Sequence, residues 1–550
     1  GIWKDVQLKA SGPVRIEWVQ VKTRLEEDFS AATAEVIVEL DSEVDMEITA
    51  KFSLSGPEKS GSVAVNGALI PGKNTIRSSI SVDNPRLWWP AGHGEQALYM
   101  LETMIAEDEG EPLDHAETRF GIRDVRWEQV EGAPEDFANP YRLVLNGRTI
   151  RTMGSNMTAV DLLFGRADGR YRHFVEMARE CNMNTLRLHG GQIIYPQSMY
   201  DAADDLGIML LVDFPMGNCA PEKDPVFLKN LDETISNIVK QLRNHPSVVE
   251  WSGGNEMSWC FDSTVEMAAL EVERDATARE DGTRLFRDTC PIDGGRHSPW
   301  DYNPDLTYTQ FNEDILDNMG ENPMMRYGEF GCQTPANLEV WHRDIPLASR
   351  WPIDEDDPVL IRKNAVSAVF DRDFWLCKGT IERLFGELDD LEMLIRCGQF
   401  IGAEGVRYMM DALRAKGGRV GGFTSWDYNE PWPNGAGSFM IDYDGRPLMM
   451  YHFVKQALAP VSLQLRHEGI EYSFYGDTFA DLLLVSDAPE KLMGLTWKWT
   501  ARARNGEVFG SGTGKAEISP LDVMALAQIR VNPPQALISG PVIVELVLSN

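Results

Sequence analysis

From about Tyr141, the sequence alternates short apolar runs with segments of helical pattern, and this rhythm constrains the fold more than any other feature. A strand–helix–strand alternation is typical of a parallel sheet with helices packed on its faces. Helices are expected near 171–181, 199–206 and 228–243. Strands are expected at 149–156, 184–191, 207–214, 248–256, 286–289, 306–309, 324–327 and 420–426. Eight strands in this order predict a (β/α)8 barrel.

Two carboxylates follow predicted strands of this barrel. Glu256 closes the run Trp-Ser-Gly-Gly-Asn-Glu at the end of the fourth strand, and Glu329 stands in Tyr-Gly-Glu-Phe-Gly after the seventh. Barrel enzymes carry their chemistry at the C-terminal ends of the strands. An Asn-Glu pair alone would equally suit a strand end followed by a helix cap. Two carboxylates at two strand ends instead indicate hydrolysis of glycosidic bonds.

Sequence of a different kind flanks the barrel. Residues 14–19, 34–40 and 46–52 alternate apolar and polar side chains, and the same period of two returns at 480–485, 495–499 and 542–548. Such runs, separated by Gly, Pro, Ser and Asp, predict antiparallel β-sandwiches. We therefore predict an immunoglobulin-like domain at 1–130, the barrel at 131–460 with a helical insertion near 346–415, and a second β-sandwich, either complete or truncated, at 461–550.

Composition excludes several classes of partner. The chain has 550 residues, enough for several domains, and a net charge of -33, which argues against nucleic acid or an anionic membrane as partner. No apolar run reaches the roughly 20 residues of a membrane helix, and no signal-like segment opens the chain, which we expect to be soluble in a compartment the sequence leaves open. Seven cysteines without CxxC spacing predict free thiols, no zinc site and no cofactor.

The first residues are unusual for a natural N-terminus. The chain opens Gly-Ile-Trp-Lys-Asp-Val, without an initiator Met and inside strand-like sequence. This predicts either a processed or cut chain, or a longer protein with a further domain upstream. The apparent strand at 542–548 likewise leaves room for a continuation.

Several motifs now resemble one family. Residues 244–256 join Asn-His-Pro-Ser to the Asn-Glu pair, 328–331 read Gly-Glu-Phe-Gly, and 426–433 read Trp-Asp-Tyr-Asn-Glu-Pro-Trp-Pro before Ile-Asp-Tyr-Asp-Gly-Arg-Pro at 441–447. With residues 84–99 and 154–161, and in this order and spacing, they resemble glycoside hydrolase family two in its β-mannosidase-like branch. The opening residues resemble the join between that family's N-terminal jelly roll and its first immunoglobulin-like domain, so a jelly roll is expected to precede this chain.

The resemblance implies a mechanism. Glu329 would be the nucleophile of a retaining enzyme and Glu256 its acid/base, with carboxyl groups about 5 to 5.5 Å apart. Because Glu256 must first donate a proton, we expect its pKa to be raised by burial and by the charge of Glu329, which stays ionised. Asn255 is expected to donate a hydrogen bond to the 2-hydroxyl of the sugar.

Further residues are candidates for binding substrate. Trp426 would form an aromatic platform beneath the sugar, or else be a core side chain at the barrel end. Arg187 would bind hydroxyls or support Glu329, or form a structural ion pair. His189, which stands where the family tends to have Trp, would contact substrate or be merely hydrogen-bonded. Asp161 and Glu430 would anchor hydroxyls, or else serve as surface or cap residues.

Three functions follow from these residues. The first is a retaining β-glycosidase that hydrolyses β-mannosides, either terminal or internal, in an oligosaccharide or glycoside. The second is an exo-β-glucosaminidase or another β-glycosidase of the same family, against which Asn255-Glu256 counts because that branch tends to have Ser-Asp there. The third is a non-catalytic carbohydrate-binding protein, which would have no chemical need for both Glu256 and Glu329.

Overall fold

The computed structural model describes most of the chain. It describes every residue except 1, 3, 5, 58, 108–109, 111, 136–138, 259–261, 263–264, 301–324, 355, 364–375, 377, 468–476 and 535–539. Within the described part, no helix has both the length and the apolar character needed to cross a membrane.

The N-terminal region is a sandwich of two antiparallel sheets. One sheet has the order β1-β2-β5 and the other β4-β3-β6-β7. Alternate side chains of each strand point between the sheets, as in β2, where every second residue is buried. The strands are β1 (Val14–Leu25), β2 (Ala31–Ser42), β3 (Met46–Gly56), β4 (Lys59–Leu69), β5 (Gly72–Asp83), β6 (Tyr99–Ala106) and β7 (Pro112–Phe120).

A small antiparallel sheet connects the sandwich to the barrel. It contains β8 (Val125–Glu128), β9 (Arg142–Leu145) and β10 (Arg148–Ile150), in the order β10-β9-β8. This sheet runs across the division at 130/131 predicted from the sequence. We keep the divisions at 130/131 and 460/461 as our proposal for the domain boundaries.

Eight parallel strands form the central barrel sheet. Their order is β15-β14-β13-β12-β11-β19-β17-β16, which is the chain order of a (β/α)8 barrel read from the fifth strand round to the sixth. The strands are buried on both faces, which explains their continuous apolar runs. Their bounds are β11 (Thr152–Met157), β12 (Thr185–Leu188), β13 (Met209–Asp213), β14 (Val248–Ser252), β15 (Leu285–Arg287), β16 (Gly295–His297), β17 (Arg326–Glu329) and β19 (Gly422–Ser425).

Helices pack around this sheet. Local sequence defines their ends: Asp224 accepts hydrogen bonds from Val226 N and Phe227 N at the start of α3, and Gly207 ends α2 in the left-handed conformation. The helices are α1 (Tyr171–Glu180), α2 (Gln197–Leu206), α3 (Pro225–Leu242), α4 (Ala268–Glu280), α5 (Leu338–Asp344), α6 (Pro358–Arg362), α7 (Lys378–Phe385), α8 (Leu391–Arg414) and α9 (Met449–Ala457), with short 3-10 turns at Phe164–Arg166, Asp168–Arg170, Leu347–Ser349 and Gly417–Arg419.

The C-terminal region is a second antiparallel sandwich. Its sheets have the orders β21-β22-β25 and β24-β23-β26. The strands are β21 (Val461–Arg466), β22 (Phe479–Ser486), β23 (Leu492–Arg502), β24 (Val508–Ile518), β25 (Val523–Arg530) and β26 (Ile543–Ser549). A two-residue pair, β18 (Thr334–Pro335) with β20 (Ala436–Gly437), lies between the barrel strands and the insertion.

Both sandwiches contact the N-terminal end of the barrel. Arg123, from the first sandwich, donates to the carbonyl of Val248, the first residue of β14, at 2.6 Å. Asp487, from the second, lies 3.4 Å from Arg151, which immediately precedes β11. The sandwiches therefore support the end of the barrel opposite to the strand C-termini, and these contacts leave the other end open.

The predicted fold class, a barrel flanked by β-sandwiches, is confirmed. Seven barrel strands overlap their predicted positions. The sixth was expected at 306–309, which lies outside the described residues, whereas the strand that pairs with β17 is Gly295–His297. Helices α6, α7 and α8 lie within residues 346–415, and we keep the insertion at these residues as a proposal. Four described cysteines are free thiols, also as expected: Cys181, Cys219, Cys290 and Cys397.

An ion network lies inside the barrel below its mouth. Glu250 of β14 accepts from Arg287 at 2.9 Å and from Arg326 at 2.8 Å, and all three side chains are at most 3% exposed. Burial alone would raise the pKa of Glu250, but the two guanidinium groups hold it at about 2. The carboxylate is therefore what makes two neighbouring buried cations tolerable.

We predict that Glu250→Ala destabilises the barrel. Removal of one partner leaves buried charge uncompensated, which costs about 3 to 5 kcal/mol of unfolding free energy. Urea unfolding followed by tryptophan fluorescence would measure the loss. Glu517→Ala, which breaks an exposed pair with Lys491, is the matched control and should change stability by less than about 1 kcal/mol. Equal effects of the two substitutions would contradict the role given to Glu250.

Candidate active site

Arg187 is at the centre of the strand C-termini. It extends from β12 and is 1% exposed. Its Nη1 donates to Asn156 Oδ1 of β11 at 2.8 Å and to Glu329 Oε1 of β17 at 3.0 Å. Its Nη2 donates to Asp213 Oδ2 of β13 at 2.5 Å and to Asn255 Oδ1, beyond β14, at 2.9 Å. One guanidinium thus ties together the ends of five barrel strands.

Arg187 makes the contacts of two of its predicted roles. It contacts Glu329 directly, as one prediction had it, and its ion pair with Asp213 is the structural role considered as the alternative. Both hold at once because the planar guanidinium offers five N–H donors in a fixed fork. Asp213 also accepts from Gly190 N at 3.0 Å. Asp213 therefore orients Arg187 toward Glu329.

The backbone around Glu256 is held in an unusual conformation. Glu256 has a φ of 44°, which lies in the left-handed region and costs about 1 to 2 kcal/mol for a residue other than Gly. Its N–H donates to Cys290 O at 2.8 Å, and the N–H of Asn255 donates to Met216 O at 3.0 Å. A Cβ at Gly254 would lie 2.4 Å from Met216 O, so only glycine permits this close approach. Neighbouring loops thus fix the direction in which Glu256 leaves the fourth strand.

The two carboxylates meet around His297, at the end of β16. His297 Nδ1 lies 2.7 Å from Glu256 Oε1 and 3.4 Å from Glu329 Oε2. Asn218 Nδ2 donates to the other oxygen of Glu256 at 2.8 Å. One oxygen of each carboxylate and one nitrogen of His297 all lie within 4.8 Å of one another. The structure therefore brings together the two carboxylates that the sequence singled out.

The expected order of their pKa values is wrong for the free protein. The hydrogen bond from His297 lowers the pKa of Glu256, whose side chain is 22% exposed. Burial raises the pKa of Glu329 to about 8, although Arg187 opposes the shift. Arg187 divides its charge between Glu329 and Asp213, so it does not fully compensate the burial of Glu329. Burial therefore favours the protonated form of Glu329, whereas the hydrogen bond from His297 favours the ionised form of Glu256.

Gly328 leaves room for the side chains behind the pair. A Cβ at this position would lie 2.4 Å from Cys290 Sγ and 2.7 Å from His297 Nε2. Those two atoms are themselves 3.3 Å apart. The glycine that precedes Glu329 is thus required by the packing of Cys290 and His297.

His189 and Trp426 form one wall of the site. Their rings meet edge to face, with centroids 4.7 Å apart. His189 Nε2 lies 3.8 Å from Glu329 Oε1, and His189 Nδ1 has no partner among the described residues. Burial and the charge of Arg187 lower the pKa of His189 well below its usual value, so the ring is neutral. His189 therefore lies beside Glu329, Trp426 packs against His189, and one buried ring nitrogen of His189 has no partner among the described residues.

Asp161 and Glu430 are engaged by the protein itself. Asp161 accepts from Leu163 N at 2.8 Å and from the hydroxyl of Tyr443 at 2.7 Å, so both carboxylate oxygens have partners. Burial, and then the neighbouring Asp427, raise the pKa of Glu430 well above its usual value. Burial raises the pKa of Asp427 to about 8. These contacts engage both oxygens of Asp161 within the protein, while Asp427 and Glu430 form an acidic pair after β19.

The Asn-His-Pro-Ser stretch before β14 has a structural role. Asn244 Nδ2 donates to Val19 O at 2.8 Å, and Asn244 Oδ1 accepts from Val21 N at 2.9 Å, so Asn244 joins the barrel to β1. His245 Nδ1 lies 2.6 Å from Asp204 Oδ2. This stretch thus anchors the start of the strand that leads to Glu256.

Sequence reasoning missed several residues of the site. His297, Cys290 and Asn218 contact the carboxylate pair or each other and were not singled out. The strand of His297 has only three residues, too few to show a periodicity. Asn218 and Cys290 lie in loops, where no periodic signal exists. Asn156 lies in the segment 154–161 that resembles the family, so its position at the end of the first strand could have identified it as a site residue.

Two groups of described side chains are close enough to share a metal ion: Glu256 with His297 and Glu329, and Asp201 with Asp204 and His245. In each group the histidine is already hydrogen-bonded to a carboxylate. These contacts account for the clustering, and we assign neither group to a metal.

We predict that Glu329 makes stability depend on pH. Its folded pKa of about 8 lies above the usual 4.5, so between these values the folded state binds a proton that the unfolded state has lost. Stability from this group is full below pH 4.5 and is lost as pH rises toward 8. In that window, unfolding free energy of the wild type should fall relative to Glu329→Gln by up to about 1.4 kcal/mol per pH unit. Urea unfolding at several pH values measures this.

The exposed Glu517 provides the control, because Glu517→Gln should follow the wild type at every pH. A difference between the wild type and Glu329→Gln that stays constant from pH 4.5 to 8 would contradict the protonation of Glu329.

Comparisons with known proteins agree with this architecture. The model of "Glycosyl hydrolases family 2" matches residues 14–123, and that of "Glycosyl hydrolases family 2, TIM barrel domain" matches 139–287. The chain is 26% identical over 509 residues to β-mannosidase B of Emericella nidulans, with 86% of this chain and 58% of the relative covered. It is 27% identical over 314 residues to β-mannosidase of Rattus norvegicus, with 54% and 35% covered.

Solved structures show the same fold. The β-D-mannosidase of Dictyoglomus thermophilum superimposes with a TM-score of 0.85 at 24% identity, over 100% of this chain and 66% of that one. The exo-chitosanase of Amycolatopsis orientalis gives 0.75 at 18% identity, over 98% and 62%. The chain thus spans about three fifths of the length of the relatives that it matches over most of its own length. Both family models match in chain order, so the chain contains two domains that match glycosyl hydrolase family 2 and resembles the β-mannosidase-like branch of that family.

Proposed function

We propose that the chain hydrolyses β-mannosidic linkages with retention of configuration, by double displacement through a covalent glycosyl-enzyme. Glu329 is the nucleophile and Glu256 the acid/base. The β-mannosidases among the relatives supply the choice of sugar. The observation that carries the reaction type is the closeness of the two carboxylates.

The separation of the carboxylates favours retention over inversion. One oxygen of Glu256 lies within 4.8 Å of one oxygen of Glu329. Retaining glycosidases need about 5 to 5.5 Å between the carboxyl groups, whereas inverting enzymes need about 6.5 to 9.5 Å to admit a water molecule. Such closeness favours a geometry in which the anomeric carbon lies between the two groups, without room for a water molecule beside it.

The surroundings of each carboxylate suit its role. Glu329 is 4% exposed and fixed by Arg187 at 3.0 Å, so its free oxygen attacks from a defined direction. Glu256 is the more exposed of the two, and a leaving group that departs toward solvent reaches it. Glu256 protonates the leaving oxygen in the first step and removes a proton from water in the second.

The proton of the pair must move before the bond breaks. At this separation two like charges disfavour each other, so the pair retains one proton near neutral pH. In the free protein burial places that proton on Glu329. The reactive form has it on Glu256, with Glu329 ionised.

The walls of the site are suited to a neutral sugar ring. Asn255 Oδ1 is occupied by Arg187, while its Nδ2 has only a long contact of 3.4 Å to Asn218 Oδ1. That amide can donate to the 2-hydroxyl, the position at which mannose differs from glucose. Trp426 offers an aromatic face and His189 a free ring nitrogen. Each contact is directed at the ring that Glu329 would attack.

A second candidate is an exo-β-glucosaminidase. The exo-chitosanase of Amycolatopsis orientalis shares the fold, and the buried pair Asp427 and Glu430 after β19 supplies the acidic groups that an amino sugar would require. Asn255 before Glu256 favours the mannosidase.

Substitution of each carboxylate tests the mechanism. We expect Glu329→Gln to reduce kcat to background, and 2-deoxy-2-fluoro-mannosyl fluoride to add one glycosyl mass to Glu329 of the wild type. Glu256→Gln should lower kcat by about 10²- to 10⁴-fold on substrates whose leaving group needs a proton, and far less on dinitrophenyl mannoside. Steady-state kinetics and peptide mass spectrometry measure these effects, with Glu517→Gln as the unaffected control. Full turnover by Glu329→Gln would rule out its assignment.

A panel of p-nitrophenyl β-glycosides tests the sugar. We expect turnover of the mannoside and little or none of the glucosaminide, galactoside and glucuronide. Turnover of the glucosaminide without the mannoside would replace the proposal by its second candidate. Binding of mannosides by calorimetry without turnover of any substrate would indicate a carbohydrate-binding protein instead.

A further inference from the structure

His297 occupies the position between the two carboxylates, and the mechanism above gives it no role. Its Nδ1 faces Glu256 Oε1 at 2.7 Å and Glu329 Oε2 at 3.4 Å. Its Nε2 faces Cys290 Sγ at 3.3 Å. The side chain is 5% exposed and lies at the end of β16, so the barrel holds the ring in place.

The contacts of the ring define its tautomer. Burial raises the pKa of Cys290, so its sulfur carries a proton that it can donate to Nε2. Burial also lowers the pKa of His297 to about 4, so the ring is neutral. In a neutral ring that accepts at Nε2, the proton is on Nδ1. That N–H therefore points at the carboxylates.

One N–H donor cannot serve both carboxylates fully. In the free protein it is given to Glu256, at the shorter distance. A substrate whose glycosidic oxygen hydrogen-bonds to Glu256 must replace this contact. The second carboxylate, Glu329, is then the remaining acceptor within reach of Nδ1.

We propose, on the basis of the function proposed above, that His297 is a positioning residue whose Nδ1–H passes from Glu256 to Glu329 when substrate binds, and so determines which carboxyl holds the proton. Before binding, the donor stabilises ionised Glu256, and the proton of the pair is on Glu329. After binding, the donor stabilises ionised Glu329, and the proton is on Glu256. The substrate thereby sets the protonation that catalysis requires.

The exchange conserves protons and charge. The carboxylic acid of Glu329 loses one proton and the carboxylate of Glu256 gains it, while His297 keeps its own N–H throughout. Among the described residues, the titratable groups that act on His297 are Glu256, Glu329, Cys290 and His189, with the cations Arg187 and Arg326 acting from further away. Both cations disfavour a positive charge on the ring, which keeps His297 a donor rather than an acid.

The pH profile of kcat/KM separates this role from a merely structural one. His297→Ala removes a hydrogen bond to a charged group and should lower kcat/KM at the wild-type optimum by about 10- to 100-fold. Because both carboxylates lose a donor to their ionised forms, the whole profile should move about one to two units to higher pH. His297→Asn, which places an N–H near the position of Nδ1, should restore most of the profile. His115→Asn, on the exposed face of the first sandwich, is the control.

A second measurement needs no turnover. Infrared difference spectra record the protonated carboxyl band that Glu329→Gln removes, as a function of pH. In His297→Ala this band should persist to higher pH than in the wild type, because both carboxylates have lost the donor to their ionised forms. If no glycoside were hydrolysed, the proposed function would be overturned, whereas the infrared test of His297 would remain valid because it does not depend on turnover.

Each outcome decides the proposal. A lower kcat/KM with an unmoved pH profile would reduce His297 to a structural residue and overturn the proposal. An unchanged carboxyl band in both His297 variants would do the same. A shifted profile and a shifted band that His297→Asn reverses would support it, and the Asn variant keeps the test valid if His297→Ala does not fold.

Discussion

The site depends on a single buried cation. Arg187 is surrounded by the ends of five strands, and each of its contacts is a side chain that a barrel strand or its following loop supplies. Such a charge is tolerable in the barrel only because Asp213 is paired with it. The pairing also affects the chemistry of the site. Because Arg187 is shared between Asp213 and Glu329, it offsets the burial of Glu329 only in part, and the pKa of Glu329 remains raised. The same interaction that assembles the site thus sets its resting protonation.

The flanking sandwiches contribute to this assembly from the opposite end. Arg123 and Asn244 connect the first sandwich to the beginning of β14, and Asp487 connects the second to the residue before β11. The loops at the mouth do not have to provide these contacts, so their residues remain available for binding. The division of labour between the two ends agrees with the general behaviour of barrels, in which one face provides stability and the other chemistry.

Much of this could be predicted from the sequence, and the failures have physical causes. The barrel and the sandwiches could be predicted because burial of one or both faces of a strand or helix produces a periodic pattern of apolar residues. Glu256 and Glu329 could be predicted because each follows an apolar strand. His297 was missed because a three-residue strand leaves no periodic trace, and Asn218 and Cys290 because loops obey no period. The pKa order was wrong because it depends on the division of one guanidinium charge between two carboxylates, a three-dimensional fact. Likewise, Asn244 lies in a motif that leads to Glu256, yet its side chain hydrogen-bonds to the backbone of β1.

Gly328 has a consequence that reaches beyond its own backbone. Any side chain at position 328 would collide with Cys290 Sγ and His297 Nε2. The residues at positions 290, 297 and 328, which lie in separate strands or loops, can therefore change only together. A chain that acquires a larger residue at 328 must also lose the imidazole, which is the donor between the carboxylates, or the thiol that faces the other nitrogen of that ring. A relative with a bulkier residue at this position would therefore have to control its shared proton by other means.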